Sequence, residues 1–220
     1  MNEQQARQEI CRVGKSLFDR GYVHATAGNI SVRLADGFLI TPTDACLGFL
    51  APDDLAKVDR EGQVAGGGRP SKTLALHRRI YEASAGTPAP AGCVIHTHST
   101  HCVALTLADR SGDLLPPITP YFVMKVGHVP VVPYHRPGDP SAAEAVASEI
   151  ASHAAAGQPI RAVMLARLGP NVWHETPAQA MAVLEELEET ARLWFLASER
   201  AAPLDHAQIA ELKATFGAHW

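Results

Sequence analysis

The sequence predicts an α/β fold, a three-layer αβα sandwich with a central sheet that is largely antiparallel or mixed. Strand patterns gather in the middle of the 220-residue chain, and helical patterns lie on both flanks. Hairpin turn signals outnumber strand–helix–strand units, which favours antiparallel pairing. From this length we expect a single domain over residues 1–220.

The N-terminal half alternates short strands with two helices. Apolar residues recur at helical spacing before Gly21, which stops the first helix. Asp36-Gly37 and Glu61-Gly62 are hairpin turn signals, and Ser71 is a good N-cap. The predicted elements are a helix over 3–20, strands over 29–33, 38–41, 56–59 and 63–65, and a helix over 71–84.

Short apolar runs predict buried strands in the C-terminal half. Thr176-Pro177 places a capping threonine before a proline at the first position of a long helix. The predicted elements are a strand over 93–97, a helix over 100–107, a β-rich run over 129–133, a helix over 141–155, a strand over 162–166, and helices over 177–199 and 205–216.

Composition and charge argue against several functional classes. The net charge is −4 and there is no long basic run, so we expect no nucleic-acid partner. Apolar stretches fall short of the roughly eighteen residues that a membrane span needs, so we expect no membrane partner. The four cysteines are widely spread without CxxC pairing, which is typical of free thiols in a reducing compartment and predicts a cytoplasmic protein.

His96-Thr97-His98 is the most informative tripeptide. Side chains two residues apart on a strand share one face, and two adjacent neutral imidazoles can bind a divalent transition metal. His101 follows three residues later and could reach the same place. A structural interpretation competes, in which one histidine is buried and hydrogen-bonded and the other lies at the surface. The tripeptide alone leaves both open.

Four motifs stand in order along the chain. They are Thr26–Arg33, Leu39–Thr43, Arg69–Lys72 followed by His77, and Val94–His98. Together they resemble the landmarks of the class II aldolase/adducin family, and the resemblance runs from about residue 10 to 197. Further segments are similar to the branch of 3-oxo-tetronate 4-phosphate decarboxylases: Leu47–Leu50, Leu115–Tyr121, Tyr134–Pro140 and Glu185–Thr190.

The resemblance implies a class II aldolase-like sandwich that assembles as a homotetramer. It implies a lyase for a small phosphorylated keto acid or ketose, acting through an enediolate by decarboxylation or aldol cleavage. It also implies a divalent metal, preferably zinc, bound by His96 and His98. The residues implied for the substrate phosphate are Gly28, Asn29, Thr43, Ser71 and Lys72. Ser71 also has an interpretation as a plain N-cap, and Asn29 as a turn residue.

Two positions depart from the family pattern. Thr73 stands where the family has a glutamate that is both metal ligand and acid/base, and an ordinary hydroxyl is a poor general base at neutral pH. Leu168 stands where the family has its third histidine ligand, and leucine cannot bind a metal. A site with two histidines holds zinc far less tightly than one with three or four ligands.

Three accounts of these departures stay open. In the first, another side chain completes the site, from a neighbouring subunit or from His101, His128, His135 or His174. In the second, the reaction is metal-independent, with an oxyanion stabilised by Arg167, Lys125 or Tyr121. In the third, the chain is a non-catalytic binding protein.

The same residues have structural interpretations. Arg167 could form a surface salt bridge, Lys125 could be an edge or snorkelling lysine, Tyr121 a core aromatic and His174 a loop histidine. A solvated or inter-subunit face is the structural interpretation for Glu185, Glu186, Glu188 and Glu189.

Overall fold

A computed structural model describes residues 1–108, 110–198 and 200–220. In these residues eight strands form one sheet in the order β4-β3-β2-β1-β5-β8-β7-β6. The strands are β1 Asn29–Arg33, β2 Gly37–Ile40, β3 Ala56–Asp59, β4 Val64–Gly66, β5 Cys93–His96, β6 Val131–Val132, β7 Ala162–Leu165 and β8 Gly169–His174. Neighbouring strands are antiparallel except β6 and β7, which are parallel. The sheet is therefore mixed and largely antiparallel, as predicted.

Helices cover both faces of the sheet. They are α1 Glu3–Asp19, α2 Leu74–Ser84, α3 Thr100–Leu105, α4 Pro120–Lys125, α5 Pro140–Ala155, α6 Pro177–Leu196 and α7 His206–Phe216. Helices α2 and α5 pack together over one face, whereas α1, α3, α4 and α6 cover the other. The three-layer αβα prediction is confirmed. Within the described residues no helix combines the length and apolar character that a bilayer span requires.

Alternation along β5 decides which layer each side chain meets. Cys93 and Ile95 enter the core formed with α1 and α6, whereas Val94 enters the core under α2 and α5. Because side chains alternate along a strand, His96 shares the face of Val94. The candidate site therefore faces the α2/α5 layer.

The central strand β8 is absent from the sequence prediction, which treated His174 as a loop residue. Residues 169–174 lie between β5 and β7. Gly169 has φ +136°, and a Cβ there would lie 1.9 Å from the carbonyl oxygen of Thr97. Only glycine permits this close approach, and Pro170 can be accommodated because it lies at the start of the strand.

Helix α4 also differs from the prediction, in which Lys125 belonged to a strand-like apolar run. The Thr119 hydroxyl accepts a hydrogen bond from the Phe122 N–H at 3.1 Å, and Pro120 occupies the first helical turn. This is the same threonine–proline start that Thr176-Pro177 provides for α6. The local signal was therefore present in the sequence.

Helix α2 begins later than predicted, and Ser71 is not its N-cap. The Ser71 N–H donates to the carbonyl oxygen of Thr41 at 3.2 Å, which keeps this segment extended beside the end of β2. Thr73 occupies the N-cap position and Leu74 begins the helix. For α6 the described helix ends at Leu196, and the predicted end at Glu199 lies outside the described residues.

Candidate active site at the end of strand β5

His96 lies between two asparagines on neighbouring strands. Its direct antiparallel partners are Asn29 of β1 and Asn171 of β8. Residues directly opposite in antiparallel strands project from the same face, so the three side chains form one row. The row is buried, with exposed fractions of 6% for His96, 7% for Asn29 and 0% for Asn171. Asn171 is not among the site residues predicted from the sequence, because its strand is not predicted.

Hydrogen bonding fixes the tautomer of His96. Its Nδ1 lies 3.0 Å from the carbonyl oxygen of Pro170. A carbonyl only accepts hydrogen bonds, so Nδ1 carries the proton and Nε2 carries a lone pair. Burial, and next the neighbouring His98, lower the pKa of His96 to about 4. At neutral pH the ring is therefore neutral, with Nε2 available as a hydrogen-bond acceptor or a ligand.

His98 is exposed and lies beside His96, with the ring centroids 5.1 Å apart. Burial of part of the ring, and next the nearby His24, lower the pKa of His98. His24 is not among the site residues predicted from the sequence. The two rings of the tripeptide are adjacent, as the metal interpretation requires. One is also buried and hydrogen-bonded and the other exposed, as the structural interpretation predicted.

A buried network lies above this row on α2. His77 Nδ1 is 2.8 Å from the Ser31 hydroxyl oxygen, which is 2.8 Å from the Tyr81 hydroxyl. Burial, and next His96, lower the pKa of His77 to about 3. Among the described residues His77 Nε2, Asn29 Oδ1 and both amide atoms of Asn171 are buried without a hydrogen-bond partner.

The residues expected to bind phosphate come together on the β1/β2 side of His96. Gly28 has φ +88°, and a Cβ there would lie 2.9 Å from the His96 carbonyl oxygen, so the Gly28–Asn29 turn lies directly against β5. The Thr43 N–H donates to the carbonyl oxygen of Arg69 at 2.9 Å, which brings Thr43 beside the segment that contains Ser71. Lys72 next to it is exposed.

The two departures from the family pattern contribute no metal ligands. The Thr73 hydroxyl lies 3.0 Å from that of Ser71. Leu168 is half-buried and packs against the core under α2 and α5. Over residues 1–108, 110–198 and 200–220, no group of three or more His, Cys, Asp or Glu side chains is arranged to hold a metal. The described residues therefore do not form a complete metal site within one chain.

The four histidines considered as substitute ligands do not extend the pair. Each has another partner or lies elsewhere. His101 bonds Glu188 at 2.8 Å, and His128 bonds Asp113 at 2.6 Å and stacks on Trp220. His135 lies 3.0 Å from the Ser141 hydroxyl, and His174 is at the opposite end of β8.

The prediction of a solvated or inter-subunit face is wrong for Glu188, which is 7% exposed.

Arg167 lies at the sheet edge where β5 ends. It has φ +65° in the turn between β7 and β8, and its Nη2 donates to the Leu107 carbonyl oxygen at 2.8 Å. In the described residues it forms no salt bridge, so that interpretation is not supported.

Tyr121 and Lys125 lie on α4, which packs on α6 and α7 in the opposite layer from His77. Tyr121 is 61% exposed, so it is not a core aromatic. Within one chain these two residues are not brought to His96.

Comparison with known proteins decides the family. Residues 8–195 match the model of the class II aldolase and adducin N-terminal domain. The chain belongs to the class II aldolase and adducin family. The sequence-based assignment is confirmed.

Among curated members of this family, a 3-oxo-tetronate 4-phosphate decarboxylase from Cupriavidus necator is 53% identical over 99% of this chain and 99% of its own. The protein of the same name from Escherichia coli K12 is 41% identical over 96% of this chain and 97% of its own. The decarboxylase branch is therefore similar from end to end, and this supports the predicted class of carbon–carbon lyase.

Solved structures of the family match the sandwich. Escherichia coli YgbL is 40% identical with a TM-score of 0.85, covering 96% of this chain and 99% of its own. An L-fuculose 1-phosphate aldolase is 23% identical with a TM-score of 0.82, covering 99% of this chain and 98% of its own. The second match supports the fold alone.

Proposed function

We propose that this class II aldolase family member is a carbon–carbon lyase that decarboxylates a 3-oxo-tetronate 4-phosphate or a closely related phosphorylated keto acid. One observation carries the proposal: 53% identity along 99% of both chains to a decarboxylase of that name. The buried row around His96 supports it, because polar side chains converge there at the end of a central strand.

The phosphate end of the substrate is assigned to the β1/β2 side of His96. Asn29, Thr43, Ser71 and the backbone of Gly28 offer neutral donors there, and Lys72 adds an exposed positive charge. In the described residues Lys72 forms no salt bridge that would neutralise this charge. Charge-assisted hydrogen bonds of this kind are the strong ones for phosphate.

In the proposed reaction the bond between C1 and C2 breaks and C1 leaves as CO₂. The electron pair moves through C2 to the C3 carbonyl oxygen and forms an enediolate, and a proton then returns to C2 to give a triose phosphate. His96 Nε2 carries a lone pair, so it can accept a hydrogen bond from the C2 hydroxyl and orient it.

The developing oxyanion needs donors. Arg167 and Thr73 are the proposed candidates within one chain, because each belongs to a segment at the His96 edge of the sheet. Tyr121 and Lys125 are kept as candidates only through a neighbouring subunit.

The family generally uses a divalent metal. We propose zinc on His96 and His98 at low occupancy, because neutral imidazoles are zinc ligands whereas Thr73 and Leu168 supply none. No step of the proposed reaction depends on it.

Assembly and location belong to the same proposal. We propose one domain over residues 1–220 that forms a homotetramer, as the family resemblance implies. Exposed apolar side chains support assembly: Phe49 is 79% exposed, Leu196 72% and Phe216 61%. Four free cysteines, two of them buried, support a cytoplasmic location.

The test is CO₂ release from 3-oxo-tetronate 4-phosphate, with zinc analysis of protein purified without added metal. We expect release by the unmodified chain and its loss in His96→Ala. No release at saturating zinc and substrate would contradict the decarboxylase proposal. It would favour the second candidate, a divergent homologue with another reaction or a binding role, for which the Thr73 and Leu168 departures are the observation.

A further inference from the structure

A cavity of about 290 Å³ lies at the ends of strands β6 and β7. These strands pair in parallel, so both end at the same edge of the sheet. Strand β6 is followed by Pro133 and Tyr134 and strand β7 by Ala166 and Arg167, and these four residues line the cavity. In sheets covered by helices on both faces, ligands commonly bind beyond the carboxyl ends of parallel strands. The cavity therefore lies where this sheet can offer a binding site.

Two arginines give the cavity its charge. Arg110 and Arg167 both line it, together with the hydroxyl-bearing side chains of Thr106, Ser111 and Tyr134. None of the described lining residues is acidic. A guanidinium carries five N–H donors in a planar fork that matches the oxygens of carboxylate and phosphate groups. The lining is therefore suited to an anion with several oxygens.

Backbone carbonyls hold both guanidiniums in place. Nη1 of Arg110 donates to the Leu114 carbonyl oxygen, and Nη2 of Arg167 donates to that of Leu107 at 2.8 Å. Each bond uses one nitrogen, so the guanidinium keeps further N–H donors for a ligand. In the part of the chain that the structure describes, neither guanidinium forms a salt bridge. Two guanidiniums that are already held in place need little ordering to bind an anion.

The backbone of Arg167 supports a role for its side chain. It has φ +65°, in the left-handed region that costs energy for residues with a Cβ. The Arg167 N–H donates to the Thr106 hydroxyl at 2.9 Å, which helps to hold this conformation. Glycine or asparagine would adopt the same turn with less strain, so the turn itself does not require an arginine.

Position separates the cavity from the proposed substrate phosphate site. Strand β8 lies between β5 and β7, so β7 is two strand spacings, about 10 Å, from the strand that carries His96. Ser71 and Lys72 lie on the opposite side of His96, where the Ser71 N–H bonds Thr41 at the end of β2. A phosphate held by Lys72 therefore does not occupy the cavity.

We propose that this cavity is a second anion site, in which Arg110 and Arg167 together bind a phosphate group. Two guanidiniums match the two negative charges and the several oxygens of phosphate. The volume is at the lower limit for small-molecule pockets, so it admits inorganic phosphate or a small phosphate ester. A bound phosphate takes N–H donors of Arg167 that would otherwise serve the oxyanion, so the site is inhibitory. The inhibition rests on the proposed function, whereas the binding does not.

Calorimetric titration with inorganic phosphate is the first test. We expect a binding component that Arg110→Gln weakens by about tenfold or more, because a charge-assisted contact is lost. Lys72→Met should leave this component unchanged, since Lys72 belongs to the other site. Phosphate affinity that does not respond to Arg110→Gln, or a component that both substitutions remove, would overturn the proposal.

Arg78→Gln is the matched control for the titration. Arg78 is also half-buried, and its guanidinium likewise donates to backbone carbonyl oxygens, those of Glu61 and Arg60 at 2.9 Å. This substitution should leave phosphate affinity unchanged, and a loss equal to that in Arg110→Gln would contradict the proposal. Arg110→Lys keeps the charge without the planar fork, so its affinity should lie between those of the unmodified chain and Arg110→Gln. It provides the test if Arg110→Gln does not fold.

Glycerol 3-phosphate, titrated in parallel, distinguishes the two sources of the phosphate group. Tighter binding than inorganic phosphate would assign the site to a phosphate ester, and weaker binding would assign it to the free ion. Either result supports the site if Arg110→Gln weakens the binding. Binding of both probes that Arg110→Gln leaves unchanged would overturn it.

Kinetics test the inhibition. Inorganic phosphate should lower kcat for CO₂ release, whereas competition at the Lys72 site alone would raise KM and leave kcat unchanged. Arg110→Gln should keep the kcat of the unmodified chain without phosphate and need about tenfold more phosphate for the same inhibition. A kcat that phosphate does not change would contradict the inhibitory role.

Failure of this inference and failure of the proposed function give different results. If Arg110-dependent phosphate binding is found but the unmodified chain releases no CO₂, only the proposed function fails. If CO₂ is released but Arg110→Gln leaves phosphate affinity unchanged, only this inference fails.

Discussion

The buried carboxylate of Glu188 bonds both the backbone N–H and the Nδ1 of His101, at 2.9 and 2.8 Å. Its second oxygen accepts from the Cys102 N–H at 3.0 Å. A carboxylate thus satisfies free N–H groups in the first turn of α3, where the helix dipole favours negative charge. Because α3 follows His98 directly, Glu188 ties the exposed end of the histidine pair to α6.

Glu188→Gln should lower the free energy of unfolding by about 1–3 kcal/mol, since an amide brings an NH₂ group toward backbone donors and removes the charge. Urea unfolding measures this change. The control is Glu189→Gln on the same helix, which alters an exposed side chain bonded to the Tyr22 hydroxyl. Equal effects of the two substitutions would mean that the α3 contacts contribute little.

Stability should fall as the pH drops from about 6.5 toward 4. Burial holds the pKa of His77 at about 3 and that of His96 at about 4, whereas the unfolded values are near 6.5. In this window the unfolded state binds more protons, so the free energy of unfolding rises with pH, by up to about 1.4 kcal/mol per pH unit for each histidine. Above about pH 6.5 both states are neutral and this contribution is flat.

His77→Gln tests the origin of that slope. Between pH 5 and 6 this substitution should remove close to one of the extra protons that the unfolded state binds, which lowers the slope of the free energy of unfolding against pH. Urea unfolding at a series of pH values measures the slope. Ser84→Ala changes another buried polar residue of α2 that carries no titrating group, and should leave the slope unchanged. A slope that is identical in His77→Gln and the unmodified chain would exclude His77 as a source.

Gly169→Ala should destabilise the sheet by more than about 3 kcal/mol, because a Cβ would lie 1.9 Å from a backbone oxygen at φ +136°. Gly138→Ala is the matched control, since Gly138 has φ +77° with nothing within 4 Å and should show only the backbone cost. Thermal unfolding compares the two. Similar melting temperatures would mean that β5 and β8 can separate without penalty.

Thr73→Glu combined with Leu168→His should raise zinc affinity by more than about tenfold, the scale that partners around a metal can contribute. The measurement is calorimetric zinc titration. The same pair of substitutions in a His96→Ala background is the control and should gain nothing. An unchanged affinity in the first variant would show that Thr73 and Leu168 do not stand at ligand positions.

Lys72→Met should raise KM for a phosphorylated substrate by about tenfold or more, because a charge-assisted contact is worth about 1.5–3 kcal/mol. Steady-state kinetics of CO₂ release provide the measurement. Lys213→Met removes a second exposed lysine, far along the chain on α7, and should not change KM. A loss confined to kcat would argue against a phosphate contact.

Much of the fold could be predicted because its signals are local. The Asp36-Gly37 turn and the Thr176-Pro177 start each act within a few residues, and both predicted elements form. Strand β8 was not predicted because Gly169 and Pro170 are local turn signals. Only the tertiary structure shows that Gly169 lies in a strand packed closely against Thr97. Ser71 failed as a cap because Thr41, thirty residues earlier, takes its N–H.

The histidine pair His96 and His98 follows from the sequence alone, since strand alternation places residues two apart on one face. The absence of nitrogen or carboxylate ligands at Thr73 and Leu168 is likewise visible in the sequence. The tertiary structure decided what surrounds the pair. Asn171, His77 and Glu188 reach their places through strand register and helix packing, which join residues far apart in the chain and leave no local pattern.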